Sequence, residues 1–229
     1  MQNDKLDGLQ KLLGIKFKDI KILEQAFYHR SYLNENKGIL QSNERLEFLG
    51  DSILSLVVSS TLYKLRNKDT EGELTNLRAY IVKTPSLAQA SKKLNFGDFL
   101  KLSKGEEISG GRENPQLLAN TYEALLGAIF IDQGLEAAKK VIEKTLLPIF
   151  EKELEVGPPK DAKSNLQEMV QEKFKESPHY KIVGTRGPDH AKEFTVAVYV
   201  NNKEYGKGQG SSKQDAEEQS AKEALKKLS

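Results

Sequence analysis

The hydrophobic period of this chain changes once, at Gly157-Pro158-Pro159-Lys160, and that change constrains the fold more than any other feature. Upstream, apolar residues recur every three or four positions. Leu6, Leu9, Leu12 and Leu13 do so before Gly14, and Ile20, Leu23, Ala26 and Phe27 after Asp19. Leu74, Leu77, Ile81 and Val82 follow Thr70, and Leu117, Leu118, Tyr122, Leu125, Leu126, Ile129 and Phe130 precede Gly134. That spacing belongs to amphipathic helices. Pro85 marks a break before a helix over 87–94, and Pro148 can open a last helix at its first position. The glycine-rich run 104–112 reads as a loop, without the lysine and hydroxyl spacing of a nucleotide-phosphate loop. Downstream, Leu166, Met169, Val170 and Phe174 share one helix face. Tyr180 to Thr185 then reads as a strand, and Phe194, Val196, Val198 and Val200 alternate with period two, a second strand. Asn201-Asn202 fits a hairpin turn leading to a glycine-rich arm over 204–210. Ser212 can cap a final helix, with Asp215 three residues on as in a capping box. The expected architecture is two domains: an all-α domain over 1–155, a linker over 156–160, and a small α+β domain of order α-β-β-β-α over 161–229.

Composition narrows the function classes. With 38% hydrophobic and 30% charged residues this is an ordinary globular mixture. No long apolar run follows the polar start, so neither a signal peptide nor a membrane span is expected. The absence of cysteine excludes a disulfide framework and a thiolate metal site, and is compatible with the cytoplasm. Residues 1–156 carry 22 Lys+Arg against 22 Asp+Glu, and residues 157–229 carry 13 against 11. Contact with a nucleic acid must therefore come from local placement of charge and not from bulk basicity.

The segment Asn43 to Leu54 carries three acids, Glu44, Glu47 and Asp51, among apolar residues. On a helix at about 100° per residue they share a stripe roughly 60° wide, with Leu46, Leu49 and Ile53 opposite and Phe48 and Leu54 flanking. Clustered carboxylates repel one another and resist desolvation, so such a stripe suits a hard cation such as Mg²⁺ or Mn²⁺. An amphipathic helix with an acidic polar face has the same spacing. Asn120, Glu123 and Gly127 form a second stripe, and the glycine would let another helix approach closely.

The twelve residues Asn-Glu-Arg-Leu-Glu-Phe-Leu-Gly-Asp-Ser-Ile-Leu over 43–54 resemble the signature of the ribonuclease III family almost letter for letter. The His29-Arg30-Ser31 turn and the loop over 104–112 resemble that family too, and His29 reads as a hydrogen-bonded structural histidine. Gly187 to Phe194 (Gly-Pro-Asp-His-Ala-Lys-Glu-Phe) and Gly208 to Lys213 resemble a double-stranded-RNA-binding domain. The resemblance spans essentially the whole chain. It implies an endonuclease that cleaves double-stranded RNA in processing of ribosomal and other precursors, as a cytoplasmic homodimer. It also implies 5′-phosphate and 3′-hydroxyl ends with short 3′ overhangs. The implied metal ligands are Glu47, Asp51, Asn120 and Glu123, for Mg²⁺ with Mn²⁺ substituting; two ions about 3.5–4 Å apart can activate water and stabilise the leaving group. Glu44 falls near the site and the subunit interface, and Glu71 matches an acid assisting from the partner subunit. Gln167 and His190 are expected in the minor groove of the duplex and Lys213 on a phosphate, with Ser212 beside it. Gln214 stands where the family commonly has a second lysine, which implies weaker binding.

Asn120 departs from the family, which usually has aspartate there. Its amide oxygen can ligate Mg²⁺ but brings no charge. Three readings follow: a tolerated natural variant, an introduced substitution, or a duplex-RNA-binding regulator that cleaves poorly. An unrelated all-α Mg²⁺ enzyme acting on small phosphates is disfavoured by the tail.

Overall fold

The computed structural model describes residues 2–159, 161–188 and 192–228. Twelve α-helices and three strands lie among the described residues, and the chain divides into two compact units, Met1–Pro158 and Pro159–Ser229.

The first unit is all helical. Helix α1 (Gln2–Leu13) ends at Gly14, whose φ of +77° suits glycine and lets its N–H bond back to the Gln10 carbonyl. Asp19 caps α2 (Ile20–Gln25), and the His29 ring caps α3 (Arg30–Glu35). Helix α4 (Glu44–Leu65) and α5 (Glu71–Val82) follow, the latter opened by a reciprocal Thr70–Glu73 capping box. Helix α4 is long and apolar enough to cross a membrane, but Leu46, Ile53, Leu54, Val57, Val58 and Leu62 bury it in the core of this unit. Helix α6 (Thr84–Lys93) begins earlier than expected. Pro85 stands in its first turn, where a missing N–H removes no helical bond, so it starts the helix instead of breaking the chain. The run 104–112 also differs from the expected loop. Ser103 accepts from the Glu106 N–H and opens a short helix, α7 (Lys104–Ile108), and a turn of 3₁₀ helix follows at Gly111–Glu113.

Asn114 accepts from the N–H groups of Gln116 and Leu117 at the head of α8 (Pro115–Gln133). This helix is apolar nearly all round and lies at the centre of the unit, followed by α9 (Leu135–Thr145). Pro148 opens a 3₁₀ turn, Leu147–Phe150, and α10 (Glu151–Val156) follows it. Val156 is thus still helical, and the helix stops at Gly157, φ +89°. Arg66, just past α4, donates to the carbonyls of Leu154 (3.3 Å) and Glu155 and pairs with Asp69 at 2.7 Å, so the end of α10 is tied down.

Helices α4 and α8 touch backbone to backbone. A Cβ on Gly50 would lie 1.8 Å from the Glu123 carbonyl oxygen, and one on Gly127 would lie 2.1 Å from that of Leu46. Only glycine permits this approach. Since Gly50 sits between Glu47 and Asp51, and Gly127 one turn beyond Glu123, the same contact lays the two acidic stripes side by side.

The second unit has α11 (Ala162–Phe174), an antiparallel sheet of β1 (His179–Arg186), β2 (Glu193–Val200) and β3 (Lys203–Gly210) in that order, and α12 (Lys213–Leu228). Asn201 and Asn202 both take positive φ, as a two-residue hairpin of this type requires. Val198 and Val200 pack with Leu166, Val170, Ala221 and Ala224. Gly206, Gly208 and Gly210 alternate on β3 against α12, where any Cβ would come within 2.5 Å of it. The glycine-rich arm is therefore the flat seat of the last helix.

Candidate functional site

Asn43 starts the site. It is buried, its side chain donates to the Ala26 carbonyl at 3.2 Å, and its N–H donates to that of Tyr28 at 2.8 Å. These bonds fix the head of α4 against the α2–α3 corner, so the following acids emerge at a set height. Glu47 is half-buried, and burial together with the charges of Glu44 and Asp51 pushes its carboxyl up, against a hydrogen bond from Asn120. Glu123, facing it from α8, is half-buried, and burial followed by the charges of Asp51 and Glu47 raises it to about 7. Asp51 is exposed. Among the described residues no Lys, Arg or His pairs with Glu47, Asp51 or Glu123. Two carboxyls held up by burial and by their acidic neighbours, with no cation beside them among the described residues, fit a hard divalent ion. The described residues include no group of three His, Cys, Asp or Glu drawn tightly enough to hold a metal, so these acids face one another without closing to coordination distance.

The other sequence-derived candidates fall in different places. Glu44 is exposed, accepts from the Ser42 hydroxyl at 2.8 Å and lies 3.9 Å from Arg30. A cavity of ≈ 430 Å³ is lined by His29, Arg30, Glu44, Glu47, Gln116 and Asn120, among others. His29 engages the Ser31 hydroxyl at 2.8 Å, and that oxygen accepts from the Ser103 N–H at 3.0 Å. Burial holds the imidazole below its usual value, countered by Glu106 and reinforced by Arg30. It is a structural tie at the edge of the site. Glu71 is not brought to these acids: it accepts from Thr75 at 3.1 Å and lines a separate groove of ≈ 650 Å³ with Leu56, Tyr63, Leu74 and Arg78.

Asn120 is placed differently from a waiting ligand. Its Oδ1 accepts from Gln116 Nε2 at 2.7 Å, and it lines the same cavity as Glu47. Gln116 escaped the sequence reading. The available signal was its position four residues before Asn120, one turn away on the same face.

In the second unit Gln167 is exposed on α11 and Lys213 is the exposed first residue of α12. The Ser212 hydroxyl accepts from the Asp215 N–H at 3.1 Å and so serves as the helix cap. The Asp215 carboxylate accepts from Ser211 at 3.0 Å. His190 lies outside the described residues.

Comparison with known proteins agrees with this division. Residues 19–150 match the family described as Ribonuclease-III-like, and residues 162–228 match the double-stranded RNA binding motif. The chain is 45% identical to a Ribonuclease 3 of Treponema denticola, over 96% of this chain and 89% of that one. It is 46% identical to a Ribonuclease 3 of Pelotomaculum thermopropionicum, over 98% and 93%. Among solved structures, the nuclease domain of ribonuclease III from Campylobacter jejuni matches with TM-score 0.58 and 40% identity, covering 63% of this chain and 95% of that one. A second structure of that domain, described as showing flexibility in a region involved in dimer formation, matches with TM-score 0.59, 40% identity and coverage of 62% and 96%. With helices α4 and α8 carrying the acids and an α-β-β-β-α unit following in the chain, the chain belongs to the ribonuclease III family, as an endonuclease domain followed by a double-stranded RNA binding motif.

Proposed function

We propose that this chain cleaves double-stranded RNA hydrolytically, with Glu47, Asp51 and Glu123 holding Mg²⁺, or Mn²⁺ in its place. The observation that carries the reading is the mutual crowding of these carboxylates on the α4–α8 contact, with Glu123 raised to about 7 and no cationic partner among the described residues. When bound, the metal supplies a water made nucleophilic and stabilisation of the alkoxide that leaves. The chain's own residues do the rest. Asn43 fixes the height of the acids, and Arg30, 74% exposed at the cavity, offers a guanidinium to a phosphate. Products with 5′-phosphate and 3′-hydroxyl ends and short 3′ overhangs, and ribosomal and other RNA precursors as substrates, belong to the same proposal. Cytoplasmic action, compatible with a chain that has no cysteine, belongs to it as well.

A homodimer is part of the proposal. Phe48, Leu56 and Tyr63 lie within about 80° of one another on α4 and are 79%, 55% and 74% exposed. Together with the groove that holds Leu74, Arg78 and Glu71, they form an apolar face suited to a second copy. Glu71 then lies at the subunit boundary. In the tail, Gln167, His190 and Lys213 meet the duplex, Lys213 with the help of the α12 N-terminus.

Long duplex RNA incubated with the chain and Mg²⁺ tests the reading, and cleavage is expected. Intact binding without cleavage at saturating Mg²⁺ and Mn²⁺ would establish the second reading, a duplex-RNA-binding regulator. The observation favouring that alternative is the uncharged Asn120, whose oxygen is engaged by Gln116 Nε2 at 2.7 Å.

A further inference from the structure

Helix α10 is too short to hold itself. Helices below about 12–15 residues are marginal in water without tertiary support. Helix α10 has six residues, all at least partly exposed, and Val156 at its end is 69% exposed. Leu154 packs, partly buried, against the core. A polar hold comes from Arg66, which follows the last residue of α4. Its Nη1 donates to the carbonyls of Leu154, at 3.3 Å, and Glu155. These are groups that a helix end leaves without a partner in its own backbone. The Arg66 Nε donates to the Asp69 carboxylate at 2.7 Å, and the Asp69 N–H donates back to the Arg66 carbonyl at 3.1 Å. The two side chains are 19% and 15% exposed. The guanidinium is thus set in a closed, largely buried turn and held toward α10.

The chain leaves α10 as the tether to the second unit. Gly157 ends the helix and α11 begins at Ala162, so five residues, 157–161, lie between them. With α10 undone, the free stretch would be 151–161, about twice as long. We propose that Arg66 is a positioning residue for duplex-RNA binding: by clamping the end of α10 it fixes where the first unit stops and keeps the tether to the RNA-binding unit short. Arg66 acts through α10. For a tether that spans its two sites, effective concentration falls roughly as the −3/2 power of length, so a doubling weakens the joint hold on one duplex about threefold.

The proposal rests on the reading that both units meet one RNA duplex, and the measurements on the full chain separate the two claims. Arg66→Met keeps most of the stem and removes the donors. Hydrogen exchange at the N–H groups of Glu155, Val156 and Gly157 is expected to quicken roughly tenfold or more, the worth of two hydrogen bonds from a charged donor. Unchanged exchange overturns the proposal. In cleavage of long duplex RNA with Mg²⁺, the variant should raise KM about threefold and leave kcat alone. A lower kcat at unchanged KM overturns it, because the arginine then serves the chemistry or the fold. If the chain binds without cleaving, the same threefold is read as Kd in Mg²⁺. Arg66→Lys, which keeps a cation able to donate to the carbonyls, should restore most of the protection and of the affinity; no rescue overturns the clamp. A wild-type chain with six Gly and Ser residues inserted after Gly157 should show the raised KM with α10 still protected. An insertion without effect overturns the role of tether length even if Arg66→Met fails to fold. Asp69 also lines the groove of Leu74 and Arg78, so sedimentation of Arg66→Met is compared with wild type. Unchanged sedimentation supports action through α10, and a change in oligomeric state overturns it. A wild-type chain that binds no duplex RNA removes the proposed function and the tether's role with it, while exchange still reports the clamp.

Discussion

Asp132 and Glu123 are acids on the same helix, pushed in opposite directions. Burial alone would raise Asp132, but its carboxylate accepts from the N–H groups of Lys18 and Asp19, each at 2.9 Å, and these outweigh the burial and hold it below its ordinary value. A lowered acid stabilises the fold while ionised. That contribution is fully present above the unfolded value of about 4 and is lost as pH falls through the lower folded value. Asp132→Ala should therefore cost about 2 kcal/mol at pH 7, from two part-buried donors left unpaired. The gap between wild type and variant in thermal unfolding should close below pH of about 4; a gap that stayed constant with pH would show that the charge is irrelevant. Glu123 has no such donors and faces Asp51 and Glu47. Glu123→Gln removes a repelling charge, so it should abolish cleavage while leaving duplex-RNA binding and thermal stability in place. An unfolded variant would make Glu123 structural. The sequence carried Glu47, Asp51 and Glu123 openly, through spacing and resemblance. It carried nothing about the bonds that hold Asp132, because its donors are N–H groups more than a hundred residues earlier in the chain.

Among the helices, the contact between α4 and α8 decides whether the acids meet. Gly50→Ala would put a methyl carbon 1.8 Å from the Glu123 carbonyl, so the helices must separate. The expected loss is about 3 kcal/mol in chemical denaturation, at the upper end for overpacking, together with loss of cleavage. Gly8→Ala, on α1 with open space around it, serves as the control and should be neutral or slightly stabilising. Equal effects of the two substitutions would remove the close-approach argument. Helix existence was legible from apolar spacing and strand existence from alternation, since both report which face is buried. The expected break at Pro85 and the loop over 104–112 gave way to helix starts. Proline is as suited to a first turn as to a boundary, and Ser103 supplied a cap that composition did not reveal.

For the molecule as a whole, two surfaces remain to be matched with partners. Phe48→Asp places a charge in the middle of the exposed apolar face of α4, and sedimentation should show the chain shifting from dimer to monomer. A chain that sediments identically with and without the substitution would refute this face as the interface. Lys213→Ala should weaken duplex-RNA binding at all sequences alike and reduce the slope of log affinity against log salt by about one; an unchanged slope would show that Lys213 meets no phosphate. The sequence by itself determined the two-unit plan, the helical and alternating periods, the change at Gly157-Pro158-Pro159, and the acids on each stripe. Such features are written in local spacing, where each residue needs to know only its neighbours. The tertiary structure decided that Gly50 and Gly127 let two backbones touch, that the glycines of β3 seat α12, and that Asp132 meets the N–H groups of Lys18 and Asp19. Close approach and hydrogen-bond direction depend on atoms brought together from distant parts of the chain, and no local pattern encodes them.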